Sequence, residues 1–292
     1  MFLLASGPIS YAQAVILGLL QGFAELFPIS SLGHSVILPQ LLGWDIHQND
    51  KYFITFLVAT HLATALVLLG FFWRDWVRIV GGMWRSLQER QIAADNPEGK
   101  LGWLLVVGTI PTGILGLALE HKLRDVFASA QSASFFLMLN GLLLFAAELL
   151  RRRAPQAEVD DDVRIARQVS WNGTFAIGAF QAIALIPGFS RSGASMAGGL
   201  LTGLSNEEAA RFSFLLATPI IGAAAALKLP ELFGPEGNGV RGPALVAALC
   251  AALTAYLSVR FLMRYFETNR LTPFAIYCVL AGLGASIYLA LT

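Results

Sequence analysis

Residues 21–34 run Gln21-Gly22-Phe23-Ala24-Glu25-Leu26-Phe27-Pro28-Ile29-Ser30-Ser31-Leu32-Gly33-His34, and residues 187–195 run Pro187-Gly188-Phe189-Ser190-Arg191-Ser192-Gly193-Ala194-Ser195. Each stretch interrupts an otherwise apolar region, residues 10–43 and 170–203, at a proline followed by serines. Proline ends a helix and leaves carbonyls unpaired, and such backbone is tolerated at membrane depth only where protein or a wet cavity surrounds it. Both regions are therefore predicted as re-entrant helix pairs. They match at a constant offset of 160 residues: Gly18 with Gly178, Gln21 with Gln181, Ser30 with Ser190, Gly33 with Gly193, Ser35 with Ser195 and Gly43 with Gly203. A gapless match of this kind marks an internal repeat.

The rest of the chain supplies the membrane. Of 292 residues, 56% are hydrophobic and 13% charged, against about 25% charged in a typical soluble domain. Six segments are long and apolar enough to cross a bilayer: roughly 52–73, 101–119, 131–150, 209–229, 242–263 and 272–291. The predicted fold is an all-α integral membrane protein with six transmembrane helices and two re-entrant pairs. Three spans separate the pairs, an odd number, so the second pair enters from the opposite face and the repeat is inverted. The first repeat covers 1–150, a polar linker 151–169, and the second repeat 170–292. Lys and Arg divide 14 to 5 between the two faces, with Arg191 left inside the second pair. That bias puts both termini on the periplasmic side and the linker, with Asp160, Asp161 and Asp162, in the cytoplasm as a solvated loop. The start of the chain lacks the basic region of a secretory signal and is kept as part of the mature protein. A net charge of +1 gives no footprint for nucleic acid, and Cys250 and Cys278 give neither a disulfide framework nor a zinc spacing.

Polar groups at membrane depth cost roughly 2.5–3.5 kcal/mol each on insertion scales, so each needs a reason. The first pair carries Gln21, Glu25, Ser30, Ser31 and His34, and the second Gln181, Ser190, Arg191, Ser192 and Ser195. Gln21 and Glu25 share a helix face, as do Ser31 and His34. Each half-helix after a break begins at a serine, a favoured N-cap, and opposed insertion brings the two helix starts together. Two converging N-termini with Arg191 suit an anion with several oxygens. A carboxylate beside an anion calls for a divalent cation or a proton between them, and Ser31 with His34 supplies a nucleophile and a base. Those parts suit hydrolysis of a phosphate ester or anhydride. The plainer alternatives are a structural Glu25–Arg191 ion pair, a satisfied core histidine at His34, and serines that only cap helices. His47, His61 and His121 fit loop and span-end roles, and Trp73, Trp76, Trp103 and Tyr52 an interfacial belt.

The two motifs resemble those of the bacterial undecaprenyl-pyrophosphate phosphatase family, also linked to bacitracin resistance, and the likeness in length and hydropathy extends over nearly the whole chain. The resemblance implies a bacterial inner-membrane enzyme that removes the terminal phosphate of undecaprenyl pyrophosphate, a polyprenyl pyrophosphate lipid, to recycle the carrier lipid of cell-wall synthesis. It implies catalytic roles for Glu25, Ser31, His34 and Arg191, and substrate contacts from Gln21, Ser30, Ser190, Ser192 and Ser195. Glu25, with Gln21 nearby, is the expected ligand of a divalent cation, Mg2+ or Ca2+. Gln21 stands where many relatives have a second glutamate, which removes one charge from any metal site. The expected scheme has Ser31, activated by His34, attacking the terminal phosphorus in a site open to the periplasm, with direct attack by water as the competing version. The alternative class is a transporter or lipid flippase using the same anion site, and a channel is a weaker third. Membrane lipids are the other expected partners, and the sequence leaves the choice between monomer and homodimer open.

Overall fold

The computed structural model describes residues 8–46, 50–127, 129–150 and 161–291, with the side chains of 120–127, 161 and 236 outside the description. The described residues form helices and turns without a strand. In chain order the helices are α1 (Tyr11–Leu26), α2 (Ser31–Leu41), α3 (Lys51–Phe71), α4 (Trp73–Glu89), α5 (Pro97–Phe127), α6 (Ala130–Leu150), α7 (Asp161–Gln168), α8 (Trp171–Ala182), α9 (Arg191–Leu201), α10 (Asn206–Phe233), α11 (Arg241–Thr268) and α12 (Thr272–Leu291). Six of them, α3, α5, α6, α10, α11 and α12, are long and apolar enough to cross a membrane, and they coincide with the six predicted spans. The chain is an all-α integral membrane protein.

Both predicted interruptions are present, and they are built alike at their downstream ends. Helix α1 stops at Leu26, and Phe27 turns extended ahead of Pro28. Ser30 then caps α2, its Oγ accepting the Gly33 N–H. Helix α8 stops at Ala182, one 3-10 turn follows over Ile183–Leu185, and Ser190 caps α9 by accepting the Gly193 N–H. The upstream ends differ: Pro28 has Gly188 as its counterpart, at φ +108°. Ser30 itself sits at φ +71°, a region that costs a non-glycine residue roughly 1–3 kcal/mol and persists only where the surroundings impose it.

Equivalent positions also make equivalent contacts. Helix α1 packs along α11 and α8 along α5. A Cβ added at Gly18 would run into the Ala247 carbonyl of α11, and one at Gly178 into the Gly108 carbonyl of α5. The two breaks abut: a Cβ on Gly33 would stand 3.0 Å from Gly188 Cα, and one on Gly193 3.3 Å from Pro28 Cβ. Helix α6, paired with α12, lies against both α2 and α9.

Two departures lie on the charged side of the molecule. The acidic run is no solvated loop where it is described: α7 begins at Asp161, and Asp162 is 1% exposed. Its oxygens take Arg211 Nε at 2.8 Å and Arg78 Nη2 at 3.2 Å, while Arg164 of α7 reaches Glu208 of α10 at 2.9 Å. The reason is amphipathic: Ile165, Ala166 and Val169 are buried, which draws Asp162 inward, where burial requires charged partners. Asp160 lies outside the described residues, as do His47 and the side chain of His121. The second departure is α4, an extra helix between the first two spans. It crosses the start of α5, with Gly82 on Gly99 and Trp103 donating to Ser86 Oγ at 2.8 Å.

Candidate active site

The last turn of α1 places Gln21 and Glu25 on one buried face, and the break then folds α2 back so that Ser31 meets the same carboxylate. Glu25 is 6% exposed. Its Oε2 accepts hydrogen bonds from Gln21 Nε2, at 3.0 Å, and from the Ser31 hydroxyl. Its Oε1 accepts Arg191 Nη2 at 2.8 Å. The structural ion pair expected as the plainer alternative therefore exists, and it sits inside the same cluster as the serine. Arg191 Nη1 and Gln21 Oε1, both buried, have no hydrogen-bond partner. A donor and an acceptor left unsatisfied beside one carboxylate are costly in a finished core and are accounted for where a ligand completes them.

His34 is not the partner of Ser31. Its Nδ1 donates to the Ser30 carbonyl at 2.7 Å, and its Nε2 lies 2.8 Å from the Tyr277 hydroxyl, the two rings stacked with centroids 5.7 Å apart. With Nδ1 carrying the proton, neutral Nε2 accepts from Tyr277. The expected serine–histidine pair fails because His34 is four residues after Ser30, so its ring closes onto its own helix start. Ser31 instead projects across the break to α1.

The serines divide in two. Ser30 and Ser190 are committed to their caps. Ser192 donates to the carbonyls of Glu25 and Phe27 at 3.3 and 3.2 Å and shares a 3.1 Å contact with Ser190, tying α9 to the end of α1. Ser195 turns away to Ser213 Oγ at 2.6 Å and to the Arg191 carbonyl at 2.9 Å, outside the Glu25 cluster. Gln181, the repeat mate of Gln21, bonds Thr112 at 3.0 Å on α5, away from the acid.

Two groups were not assigned to the site by sequence: Asn140 went unremarked, and His61, expected in a span-end role, lies at the middle of α3. Asn140 of α6, fully buried, donates to the Pro28 carbonyl and accepts the Ser190 N–H, both at 3.0 Å, so one side chain holds both breaks. His61 of α3 brings Nε2 to 3.5 Å from Glu25 Oε2. An ionisable or amide side chain inside an apolar span was the available signal for both.

Among the described residues no three His, Cys, Asp or Glu side chains gather as a metal cluster. Glu25 offers the carboxylate oxygens that Mg2+ and Ca2+ take, with Ser31 Oγ against Oε2 and Gln21 turning its Nε2 to the same atom, and one carboxylate suffices for Mg2+ when substrate phosphates supply further oxygens.

The fold and this cluster define a polytopic membrane protein with a buried polar site between two helix breaks: a hydroxyl on a carboxylate, a guanidinium beside it, and two helix starts. Comparison with known proteins narrows the class. The family model for bacitracin resistance protein BacA matches residues 14–284, and the chain belongs to that family. An undecaprenyl-diphosphatase of Mycolicibacterium paratuberculosis is 48% identical, covering 97% of this chain and 98% of its own. An undecaprenyl-diphosphatase 2 of Chromobacterium violaceum is 46% identical over 92% of this chain and 95% of its own, and an undecaprenyl-diphosphatase of Granulibacter bethesdensis 45% over 95% and 96%.

Proposed function

We propose that the chain hydrolyses undecaprenyl diphosphate to undecaprenyl phosphate and inorganic phosphate, through a phosphoserine at Ser31 with Glu25 as its base. The observation that carries this is the hydrogen bond from Ser31 to a carboxylate whose other oxygen is held by Arg191. In the first half-reaction Ser31 Oγ attacks the terminal phosphorus and its proton passes to Glu25. The bridging P–O bond breaks, undecaprenyl phosphate leaves with the electron pair, and Glu25 gives it the proton. Water then attacks the phosphoserine, Glu25 takes one of its protons, and Ser31 Oγ regains that proton as inorganic phosphate departs.

Arg191 is suited to stabilise the charge spread over the equatorial oxygens, the main catalytic task in phosphoryl transfer, and its unpartnered Nη1 is available for a phosphate oxygen. The N-termini of α2 and α9 face the same charge. His34, fixed on the Ser30 carbonyl, serves as a positioning residue that keeps the strained cap and hence Ser31 in place. Glu25, with Gln21 beside it, would be the residue to hold a divalent cation, which would supply charge neutralisation to the substrate phosphates.

Re-entrant insertion of α1–α2 and α8–α9 as an inverted repeat is supported by the matched caps, the matched glycine contacts and the abutting breaks. Placement in the bacterial inner membrane, with periplasmic termini and a site open to the periplasm, rests on the distribution of Lys and Arg. The test is release of inorganic phosphate from a prenyl diphosphate by protein in detergent, where no second compartment exists. Release lost in Ser31→Ala and Arg191→Ala supports hydrolysis at this site; no release by the parent leaves transport as the activity.

A further inference from the structure

Helix α4 buries one face and leaves another bare. Ile79 and Ser86 are buried, and Gly82 and Met83 on the same side press on Gly99 and Gly102 of α5. Trp73, Val77, Val80, Trp84 and Leu87 are instead 55–64% exposed. At about 100° per residue these five fall within about 40° either side of one direction, so they form an apolar stripe along the whole helix. Yet α4 is not one of the six spans, whose exposed apolar side chains lipid covers. Residues 73–90 also carry four arginines, Arg74, Arg78, Arg85 and Arg90, against two acids, Asp75 and Glu89. The first three arginines lie together, roughly 100–140° round the helix from the stripe. Neither Arg74 nor Arg90 forms an ion pair among the described residues.

The place of α4 in the fold decides what covers the stripe. Phe72 alone separates it from the span α3, and it then packs on the start of the span α5. It is therefore pinned at the level where one helix leaves the bilayer and the next enters. A helix held there, with tryptophans on an apolar stripe and arginines beside it, has the make-up of one lying between acyl chains and headgroups. The surplus of arginine suits phosphate, which guanidinium binds through paired hydrogen bonds. We propose that α4 lies flat in the membrane interface with its stripe among the acyl chains, and that its arginines draw anionic phospholipid in preference to zwitterionic lipid. The bilayer, and not a second copy of the chain, covers the stripe.

The experiment uses the full chain, with Cys250 and Cys278 replaced by alanine, in nanodiscs of phosphatidylcholine and phosphatidylglycerol. A nitroxide at Val80→Cys or, separately, at Glu89→Cys reports depth through its collisions with oxygen and with a water-soluble nickel chelate. A fluorophore at Val80→Cys reports lipid identity through quenching by brominated phosphatidylglycerol or brominated phosphatidylcholine at equal mole fraction. Residue 80 is expected to favour oxygen and residue 89 nickel, and quenching at residue 80 to be about twofold or more stronger with the anionic lipid. Arg74→Gln with Arg90→Gln is expected to bring the two quenchers to parity while residue 80 stays shielded from nickel. Nickel access at residue 80 overturns the interfacial placement, and equal quenching by both lipids in the parent overturns the anionic preference. Strong dipolar coupling between residue 80 nitroxides of two protomers, with both reagents excluded, assigns the stripe to a second copy instead. Val77→Cys, on the same stripe, repeats each measurement where the label at residue 80 perturbs folding.

Discussion

Arg191 Nη2 lies 2.8 Å from Glu25 Oε1 across 166 positions of sequence, and this contact joins the second helix break to the first. Glu25 is 5% exposed at its side chain and Arg191 15%, so both charges are largely out of water. Removing one partner of such a pair strands the other, at a cost of about 3–5 kcal/mol, whereas replacing both by neutral groups of similar shape costs far less. Arg191→Ala is therefore expected to lower the unfolding temperature in detergent markedly. Glu25→Gln with Arg191→Met is expected to recover most of that loss while remaining inactive. A double-mutant cycle on thermal unfolding measures the coupling, and additive effects would show that the pair carries no stability.

Ser31 donates to Glu25 and not to His34, and the two candidate bases therefore separate in kinetics. Ser31→Ala is expected to lower kcat by about 10^3-fold or more, and Glu25→Gln by a similar factor, since residues acting as one unit lose nearly everything singly. Their combination is expected to be no worse than either alone. Trapping a 32P-labelled protein from a labelled diphosphate in the parent, and its absence in Ser31→Ala, checks the covalent step.

His34→Ala tests positioning against base catalysis. Its ring holds the Ser30 carbonyl at 2.7 Å, one residue from the proposed nucleophile Ser31, and a misplacement of about 1 Å is worth about 10^2-fold in rate. The expected loss is about 10- to 100-fold in kcat, smaller than for Ser31→Ala, with a phosphoserine that still forms. A loss equal to that of Ser31→Ala would return the base role to His34.

The spans were legible because a run of about 20 apolar residues is a one-dimensional signal, and the breaks because Pro28 and Pro187 each precede a serine N-cap within a repeated motif; proline alone would not have marked them, since α5 and α10 run through Pro111, Pro219 and Pro230. Glu25, Ser31 and Arg191 were legible as polar groups at depth. The direction of each side chain was not. Ser31 and His34 share a helix face by spacing, yet one reaches α1 and the other α12, a choice made by the strained Ser30 cap. His61 and Asn140 were invisible as partners because their meaning comes from α3 and α6 packing against the breaks, which no local pattern encodes. Asp162 was misjudged for the same reason: its partners Arg78 and Arg211 lie on other helices.

The topology inferred from Lys and Arg predicts labelling. On that proposed topology, in a variant with Cys250 and Cys278 replaced by alanine, Ser129→Cys between α5 and α6 would lie on the periplasmic side, and Gln91→Cys after α4 on the cytoplasmic side. A membrane-impermeant maleimide added to intact cells is expected to modify residue 129 and spare residue 91, and inside-out vesicles to reverse the pattern. The opposite result would turn the protein over, and with it the side from which the diphosphate enters.

Asn140 is where packing and chemistry are most tightly linked. Its amide holds the Pro28 carbonyl and the Ser190 N–H, each at 3.0 Å, and both groups belong to buried residues. Asn140→Leu leaves a carbonyl and an N–H unpaired, at about 1–3 kcal/mol each, and releases the two breaks from a common anchor. Asn140→Asp keeps the acceptor for Ser190 but loses the donor to Pro28 and adds a charge near Glu25. Both variants are expected to unfold at lower temperature than the parent and to lose kcat more than KM, because the register between Ser31 and Arg191 suffers while the prenyl chain still binds. Equal loss in kcat and gain in KM would instead place Asn140 in substrate binding, and parent-like values would remove it from the site.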